Sequence, residues 1–343
     1  MPRPVTLNKS CDIRMNVRGE PCIVFDHSFK PIADDVHSVV VFSQDGLIEW
    51  SALRALAERD VFIYGVGIEG KADWTIVPKS YTIQGKLRLN QYGSIYDPGW
   101  HMTIARAFVD CKVAADAKML HLAGLRDSPD PPQPAKPLDT MMKIRLWEGA
   151  CAKEHFEALG RFFRKNDLKF EGREQKHHQN RAAKQLSNAM LNYCYGICQS
   201  FSRKAVLQTA LDPTLGWLHR VGDNLEAGVY DAQELIRFLA DACVINLVRR
   251  GDHYNPDGWQ TRWDFTIELK KPLIKAIVFE MTRLFQIKAP FERDARPETY
   301  GWTYEHAQMM NLERITRWIR SGKGELKLEM KPVPELFTAP VPS

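Results

Sequence analysis

His219 follows a short apolar turn, Leu215-Gly216-Trp217-Leu218, and a polar loop of residues 220–228 comes next. A helical pattern then opens with Asp231 and Glu234. The i, i+3 spacing sets both carboxylates on one face of a helix. One imidazole at the end of a turn, facing two carboxylates on the next element, suits a hard divalent metal with a single nitrogen ligand. Such a site needs another carboxylate from elsewhere. Glu148, in RLWEGACAKEHF, is the best candidate, because Gly149, Ala150 and Ala152 let backbone or substrate come close. His155 lies seven residues further on nearly the same face and reads as a supporting or structural residue. Taken singly, each has a plainer role: Glu148 as an exposed helix acid, His219 as a capping or core histidine, Asp231 and Glu234 as acids suited to a helix's first turns.

These residues must be positioned by helices. From about residue 98 the apolar pattern has a period of 3.6, predicting helices over 100–125, 140–165, 186–209, 269–287 and 303–321, besides the acidic segment. The run SPDPPQPAKP, residues 128–137, cannot be helical and reads as an exposed connection. Residues 252–264 read as a loop. Residues 1–86 are β-rich, with apolar or alternating runs at 21–26, 37–42, 61–67 and 74–78. A helix is expected at 51–59, with Ser51 as its N-cap and Leu53, Leu56 and Ala57 on one face. The expected class is α+β: a small β-sandwich-like N-terminal domain (1–86), a linker (87–97), an all-helical catalytic domain (98–332) and a proline-rich tail (333–343) that does not fold alone.

The chain has 343 residues, enough for two domains, and its 44% apolar and 26% charged content is that of a soluble globular protein. No apolar run approaches the roughly 20 residues of a membrane span. The N-terminus lacks an apolar signal core, so a cytoplasmic protein without membrane association is expected. Seven cysteines without a close Cys-x-x-Cys pair read as reduced thiols, with Cys194 and Cys198 as core residues. The net charge is +5, but residues 143–206 hold thirteen Lys/Arg against six Asp/Glu, a local +7 that leaves the remainder at −2. That concentration points to a polyanion, with nucleic acid the obvious class. Lys169, Arg173, Lys176, His177, His178, Arg181 and Lys184, in the polar stretch 166–184, are the candidate phosphate contacts. Arg314, Arg317 and Arg320 form a second basic stripe, readable as a DNA surface or a solvated face. Trp259, Arg262 and Trp263 could stack on a splayed base or plug the loop beneath them.

Several motifs in order carry a family resemblance. GLIEWSALRALAERDVFIYGV is similar to a strand, short helix and strand; NQYGSIYDPGWHMTIARAFVDCKVAADAKML to the helix after a linker; WEGACAKEHF to a Glu-Gly-Ala-Ala helix; SNAMLNYCYGI to an Asn-Ala-Leu-Leu-Asn-Tyr-Gly-Tyr helix. LDPTLGWLH and VYDAQELIRFLAD resemble a histidine motif and an acidic motif. Over residues 15–287 the chain resembles the CRISPR-associated spacer-acquisition integrases, the Cas-one family. It lacks the Arg-Pro-Pro segment that often precedes the family's Asn helix, having REQKHHQNRAAKQLSN there.

The resemblance implies DNA strand transfer, in which a 3′-hydroxyl attacks a phosphodiester at the leader end of a CRISPR array and inserts a short DNA fragment. It places Glu148, His219 and Glu234 as ligands of Mg²⁺ or Mn²⁺. Asp231 is a nearby acid that could hold a second metal, orient a water or support a ligand. The attacking group is expected from the substrate, with no Ser, Tyr or Cys beside His219 to serve as nucleophile. The implied partners are double-stranded DNA (spacer precursor and leader-repeat), a second copy joined through the β domains, and a Cas-two dimer, in a prokaryotic cytoplasm. Two alternatives keep the fold: a transposon-type integrase and a structure-specific DNA nuclease. A non-catalytic DNA scaffold is the reading that an intact Glu-His-Glu set opposes.

Overall fold

The computed structural model describes residues 3–7, 10–41, 45–66, 72–78, 84–173, 183–222, 225–293 and 296–337. Its N-terminal part holds two sheets. In the first, β1 (Arg3–Leu7), β5 (Val36–Val41), β6 (Phe62–Val66) and β7 (Ala72–Ile76) lie in that order. β1 and β6 both run parallel to β5, and β7 closes the edge antiparallel to β6. Parallel neighbours need a crossover, and α1 (Trp50–Glu58) supplies the one between β5 and β6. The second sheet is an antiparallel meander of β2 (Asp12–Met15), β3 (Pro21–Phe25) and β4 (Ser28–Pro31). Both sheets share one core with α1, in which Leu7, Ile13, Ile23, Val39, Leu56 and Ile63 meet. Of the two arrangements the strand pattern allows, a small sandwich or a mixed sheet, the main sheet is mixed, with α1 packed on it.

Strand alternation gives the main sheet a second buried face. Val40, Phe62 and Tyr64 point away from α1 and pack near Leu207 of α5 (Leu186–Gln208). The same face is pinned by Lys204 of α5, whose ammonium donates to Ser38 Oγ of β5 at 2.6 Å and pairs with Glu305 of α9 (Tyr304–Ser321). Burial lowers the Lys204 pKa, and the neighbouring Glu305 charge opposes that shift.

The helical part is wrapped around α5, which is buried along nearly all its length. α6 (Ala227–Glu234), α7 (Arg237–Arg250), α8 (Lys271–Gln286) and α9 pack on it, while α2 (Gly85–Tyr96) packs on α3 (Pro98–Leu122) and α9, α3 on α6 and α7, and α4 (Met141–Lys165) on α3. Asp97 caps α3 by accepting from Trp100 N at 2.8 Å, with Pro98 at the first turn. Thr140 caps α4 by accepting from Lys143 N at 3.2 Å. Cys194 and Cys198 are fully buried in α5, as core residues should be.

Several expectations are corrected. Residues expected as a linker, 87–97, are almost wholly the helix α2. The expected all-helical part carries two hairpins, β8 (Trp259–Thr261) with β9 (Ile267–Leu269) and β10 (Lys288–Arg293) with β11 (Arg296–Thr303), so 252–264 is not simply a loop. Ser51 does not cap α1; Glu49 stands at that position, and the Ser51 hydroxyl bonds to its carboxylate. Of the expected α1 face, Leu56 is fully buried and Leu53 packs against the core, with Ala52 buried beside them. The start of the tail is folded: Leu336 is fully buried, and its carbonyl accepts from Asn246 at 2.7 Å and Arg283 at 3.0 Å. Residues 338–343 of the expected tail lie outside the described residues. No described helix is long and apolar enough to cross a membrane.

Candidate active site

The turn presenting His219 is held from several sides. Gln91 of α2, fully buried, donates to the carbonyls of Asp212 (3.1 Å) and Leu215 (3.0 Å) and accepts from Asp212 N (2.8 Å). The Trp217 indole N–H donates to Ser94 Oγ at 2.9 Å, and its carbonyl accepts from His101 Nε2 at 2.5 Å. Arg145 of α4 donates to the Leu218 carbonyl at 3.2 Å. Two glycines allow the turn to meet the start of α6. A Cβ on Gly216 would lie 2.8 Å from Ala227 backbone, and one on Gly228 would lie 2.6 Å from the Leu215 carbonyl oxygen.

Asp231, with no exposed surface, organises the turn's end. Its Oδ2 accepts from Trp217 N (2.5 Å) and Leu218 N (3.0 Å). Its Oδ1 accepts from His219 N (2.8 Å) and from His219 Nδ1 (2.8 Å). Each Asp231 oxygen thus accepts two hydrogen bonds from the turn. Donation from Nδ1 fixes the tautomer and leaves Nε2 as the free lone-pair nitrogen on a ring that is 40% exposed. Burial pushes the His219 imidazole down, but the Asp231 hydrogen bond and the Asp231 and Glu234 charges outweigh it, leaving it above its ordinary value.

The two glutamates meet through a cation that the sequence reading did not single out. Lys112 of α3, 6% exposed, places its ammonium 2.7 Å from Glu234 Oε2 and also pairs with Glu148 Oε1. Glu234 Oε1 is held by Arg237 at 2.9 Å. Burial would raise the Glu234 carboxyl, but Lys112, Arg237 and His219 drive it far below the carboxylate range, so it is ionised. Burial likewise opposes charge on Lys112, and Glu234 and Glu148 restore it to above its ordinary value. Glu148 and Glu234 therefore meet at Lys112, and Glu234 is close enough to His219 for their charges to act on each other. A metal's fit is supported by the structure itself: two carboxylates already converge on one buried cation, beside a histidine with a free nitrogen.

A second cluster lies behind this one. Asp116, His155 and Asp241 offer ligand atoms all within 4.8 Å of one another; among the described residues no other His/Cys/Asp/Glu trio does so. Glu148, His219 and Glu234 are looser because Lys112 stands between the two glutamates. His155 Nε2 is 3.0 Å from Asp241, its Nδ1 is 4.0 Å from Asp116, and Tyr195 donates to Asp241 at 2.6 Å. Burial lowers the His155 pKa, but the two aspartates together hold it above its usual value. Burial pushes Asp116 up to about 6. His155 is thus wedged between two carboxylates, with Nε2 taken up by Asp241. Among the residues the sequence reading passed over are Lys112, Asp116, Tyr195, Arg237 and Asp241. Arg237 stacks over the Tyr195 ring at 4.6 Å, linking the two clusters.

The basic stretch is only partly described. Lys176, His177, His178 and Arg181 lie outside the described residues. Lys169 and Lys184 are exposed, and Lys169 pairs with Glu171 at 3.0 Å. Arg173 is no free phosphate contact here: it donates to Asn188 (2.9 Å) and Asn192 (2.7 Å) and lies over Tyr195 at 4.9 Å. Arg317 and Arg320 face solvent, whereas Arg314 covers Phe291 at 4.3 Å. Trp259 is tied down through its indole N–H to the His253 carbonyl, while Trp263 is 92% exposed. The Tyr230 ring lies near the histidine, its centroid 5.6 Å from that of His219.

The family model for CRISPR associated protein Cas1 matches residues 26–283, a span holding Glu148, His219, Asp231 and Glu234. The chain is 24% identical over 252 residues to CRISPR-associated endonuclease Cas1 1 of Chlorobaculum tepidum, covering 67% of this chain and 71% of that protein. Its fold matches that of a casposase bound to integration product with a TM-score of 0.76, at 19% identity over 97% of this chain and 95% of that one. It also matches a chain of a Cas6-RT-Cas1–Cas2 complex with a TM-score of 0.68, at 15% identity over 96% of this chain and 36% of that longer one. Matched by the family model over most of its length, and carrying all four site residues inside that match, the chain belongs to the Cas1 family of CRISPR-associated proteins.

Proposed function

We propose that this chain is a metal-dependent DNA integrase that inserts short DNA fragments into a CRISPR array by 3′-hydroxyl attack on a phosphodiester. The observation carrying this reading is the convergence of Glu148 and Glu234 on one buried cation beside His219. Bound Mg²⁺ or Mn²⁺, held by Glu148, His219 and Glu234, would stabilise charge developing on the phosphate and the leaving oxygen. The chain's own residues prepare that site. Asp231 orients His219 with Nε2 outward, Arg237 and Lys112 keep Glu234 ionised, and the Gln91 and Ser94 contacts hold the turn in register. The Tyr195 hydroxyl is committed to Asp241, which leaves Tyr230 as the tyrosine to test as a nucleophile. A DNA 3′-hydroxyl held in line has a high effective concentration and needs no protein nucleophile.

On a branched substrate that mimics a half-integrated fragment, the protein with Mn²⁺ should rejoin the target strand and release the branch. A dideoxy cap on the 3′-end should abolish joining and leave binding intact, and Tyr230→Phe should still join. A covalent Tyr230–DNA adduct, or nicking without joining that ignores the cap, would count against the integrase and for the nuclease alternative.

The partners in this reading are duplex DNA, a second copy docked through the N-terminal sheets, and a Cas2 dimer, all in a prokaryotic cytoplasm. The fold shared with a Cas1–Cas2 assembly supports the Cas2 choice. A transposon-type integrase is the second reading, favoured by the casposase match along nearly the whole chain. A neighbouring repeat array with Cas2, or terminal inverted repeats, separates the two.

DNA affinity should be mainly electrostatic, because residues 143–206 carry a net +7 within a chain of +5. Binding should weaken about tenfold or more between 50 and 200 mM salt. Charge reversal at Lys169, Lys176, Arg181 and Lys184 together should weaken it more than reversal at Arg317 and Arg320. The opposite ranking in a fluorescence titration would move the DNA path to α9.

A further inference from the structure

We infer that Lys112 is a built-in counter-cation of the metal site, holding the Glu148–Glu234 pair together without metal and keeping metal affinity low until DNA arrives. This inference rests on the proposed metal reading of Glu148, His219 and Glu234. Three observations carry it. First, the Lys112 ammonium touches both carboxylates, 2.7 Å from Glu234 Oε2 and in direct contact with Glu148 Oε1. Second, the side chain is only 7% exposed, so its charge has little water to escape to. Third, the opposite oxygen of Glu234 is already held by Arg237 at 2.9 Å. Against the carboxylates of Glu148, Glu234 and Asp231 stand the buried Lys112, the partly exposed Arg237 and an imidazole, so the site is not strongly anionic before any ion enters.

An incoming divalent ion must share or take the oxygens that Lys112 holds, and it meets a like charge on doing so. Repulsion between charges in a partly buried site is far stronger than in bulk water. A DNA phosphate brought to the site adds negative charge and offsets it. Metal and DNA should therefore bind with positive coupling, and by linkage each should raise the affinity for the other by the same factor. This would limit free metal-loaded protein that could nick DNA at random.

The test measures Mn²⁺ affinity by electron paramagnetic resonance, with and without a non-reactive, dideoxy-capped branched DNA. Lys112→Met should bind Mn²⁺ at least about tenfold more tightly than wild type without DNA. The gain in Mn²⁺ affinity on adding DNA should be smaller than in wild type, and Lys112→Arg should resemble wild type in both. A side chain with a merely structural role would weaken or leave unchanged the metal binding of the methionine variant, and that result overturns the inference. Should Lys112→Met fold only with Mn²⁺, Lys112→Gln, which keeps a hydrogen-bonding end, is measured instead against the same expectation. Glu234→Gln serves as the separate control. If wild type binds no Mn²⁺, or Glu234→Gln binds it as wild type does, the metal reading has failed. If both behave as expected and neutral Lys112 variants bind no tighter, the counter-cation alone has failed.

Discussion

Glu234→Gln should abolish strand joining and destabilise the protein, whereas Glu148→Gln should abolish joining with little loss of stability. Both substitutions keep shape and remove a charge. Losing a metal ligand removes several kcal/mol of transition-state stabilisation, which corresponds to about a thousandfold in rate. The stability effects differ because the two glutamates differ in burial. The Glu234 side chain is 4% exposed and faces two cations, Lys112 and Arg237. Neutralising it leaves the buried Lys112 under-compensated, and breaking a buried pair this way costs about 3–5 kcal/mol, whereas Arg237, 27% exposed, is reached by water. The Glu148 side chain is 25% exposed, and water can take over much of its role. Thermal melting of the two variants in chelator, set beside joining rates at saturating Mn²⁺, checks both halves. Equal melting temperatures would mean that Lys112 and Arg237 do not depend on Glu234. Joining that survives either change would remove that residue from the ligand set.

What could be read in the sequence follows from how far apart the determinants lie. The His219 turn, Asp231 and Glu234 fall within one short stretch, so their spacing is informative on its own. Lys112 and Asp116 lie on α3, and Lys112 meets Glu148 thirty-six residues later. A charged pair at i, i+4 inside a mostly apolar helix was the available signal, since such charges are rarely buried without partners. α2 was missed for a different reason. Its buried positions are Leu87, Gln91 and Ser94, so the face that matters is largely polar and no apolar stripe marks it. Gln91 and Ser94 are buried because the His219 turn presents carbonyls and an indole N–H to them. Strand existence in the N-terminal part was legible from alternation, but strand direction was not. Nothing in Val36–Val41 or Phe62–Val66 states that they run parallel; the crossover through α1 decides it. The β8–β9 strands have three residues each, too few for a period-2 pattern to rise above a loop. Arg173 shows the opposite limit: a cation in a basic run reads as a phosphate contact, yet two asparagines of α5 and the Tyr195 ring claim it.

Asp231→Asn should lower both stability and joining, and it should move the pH dependence of metal binding. Its two oxygens receive four hydrogen bonds, three from consecutive backbone N–H groups and one from His219 Nδ1. An asparagine retains one accepting oxygen and turns an NH₂ group towards two of those donors. At about 1–3 kcal/mol for each of two buried donors left unpaired, the loss is about 2–6 kcal/mol. For a chain of 343 residues that is a fall in Tm of about 3–8 °C. The His219 ring loses the fixed tautomer, and second-shell losses of this kind cost about 10–100-fold in metal affinity or activity. The pH effect has a definite sign. Burial disfavours the imidazolium, and the Asp231 contact outweighs burial to hold His219 above its ordinary value. A metal needs the neutral ring, so in wild type Mn²⁺ binding should weaken as pH falls through that raised value. With asparagine the supporting charge is gone and the same loss should begin at lower pH. Mn²⁺ titrations between pH 5 and pH 8 read this directly. An unchanged pH profile would show that Asp231 only holds the turn. A complete loss of binding at every pH, in a variant that still folds, would show that it ligates metal after all.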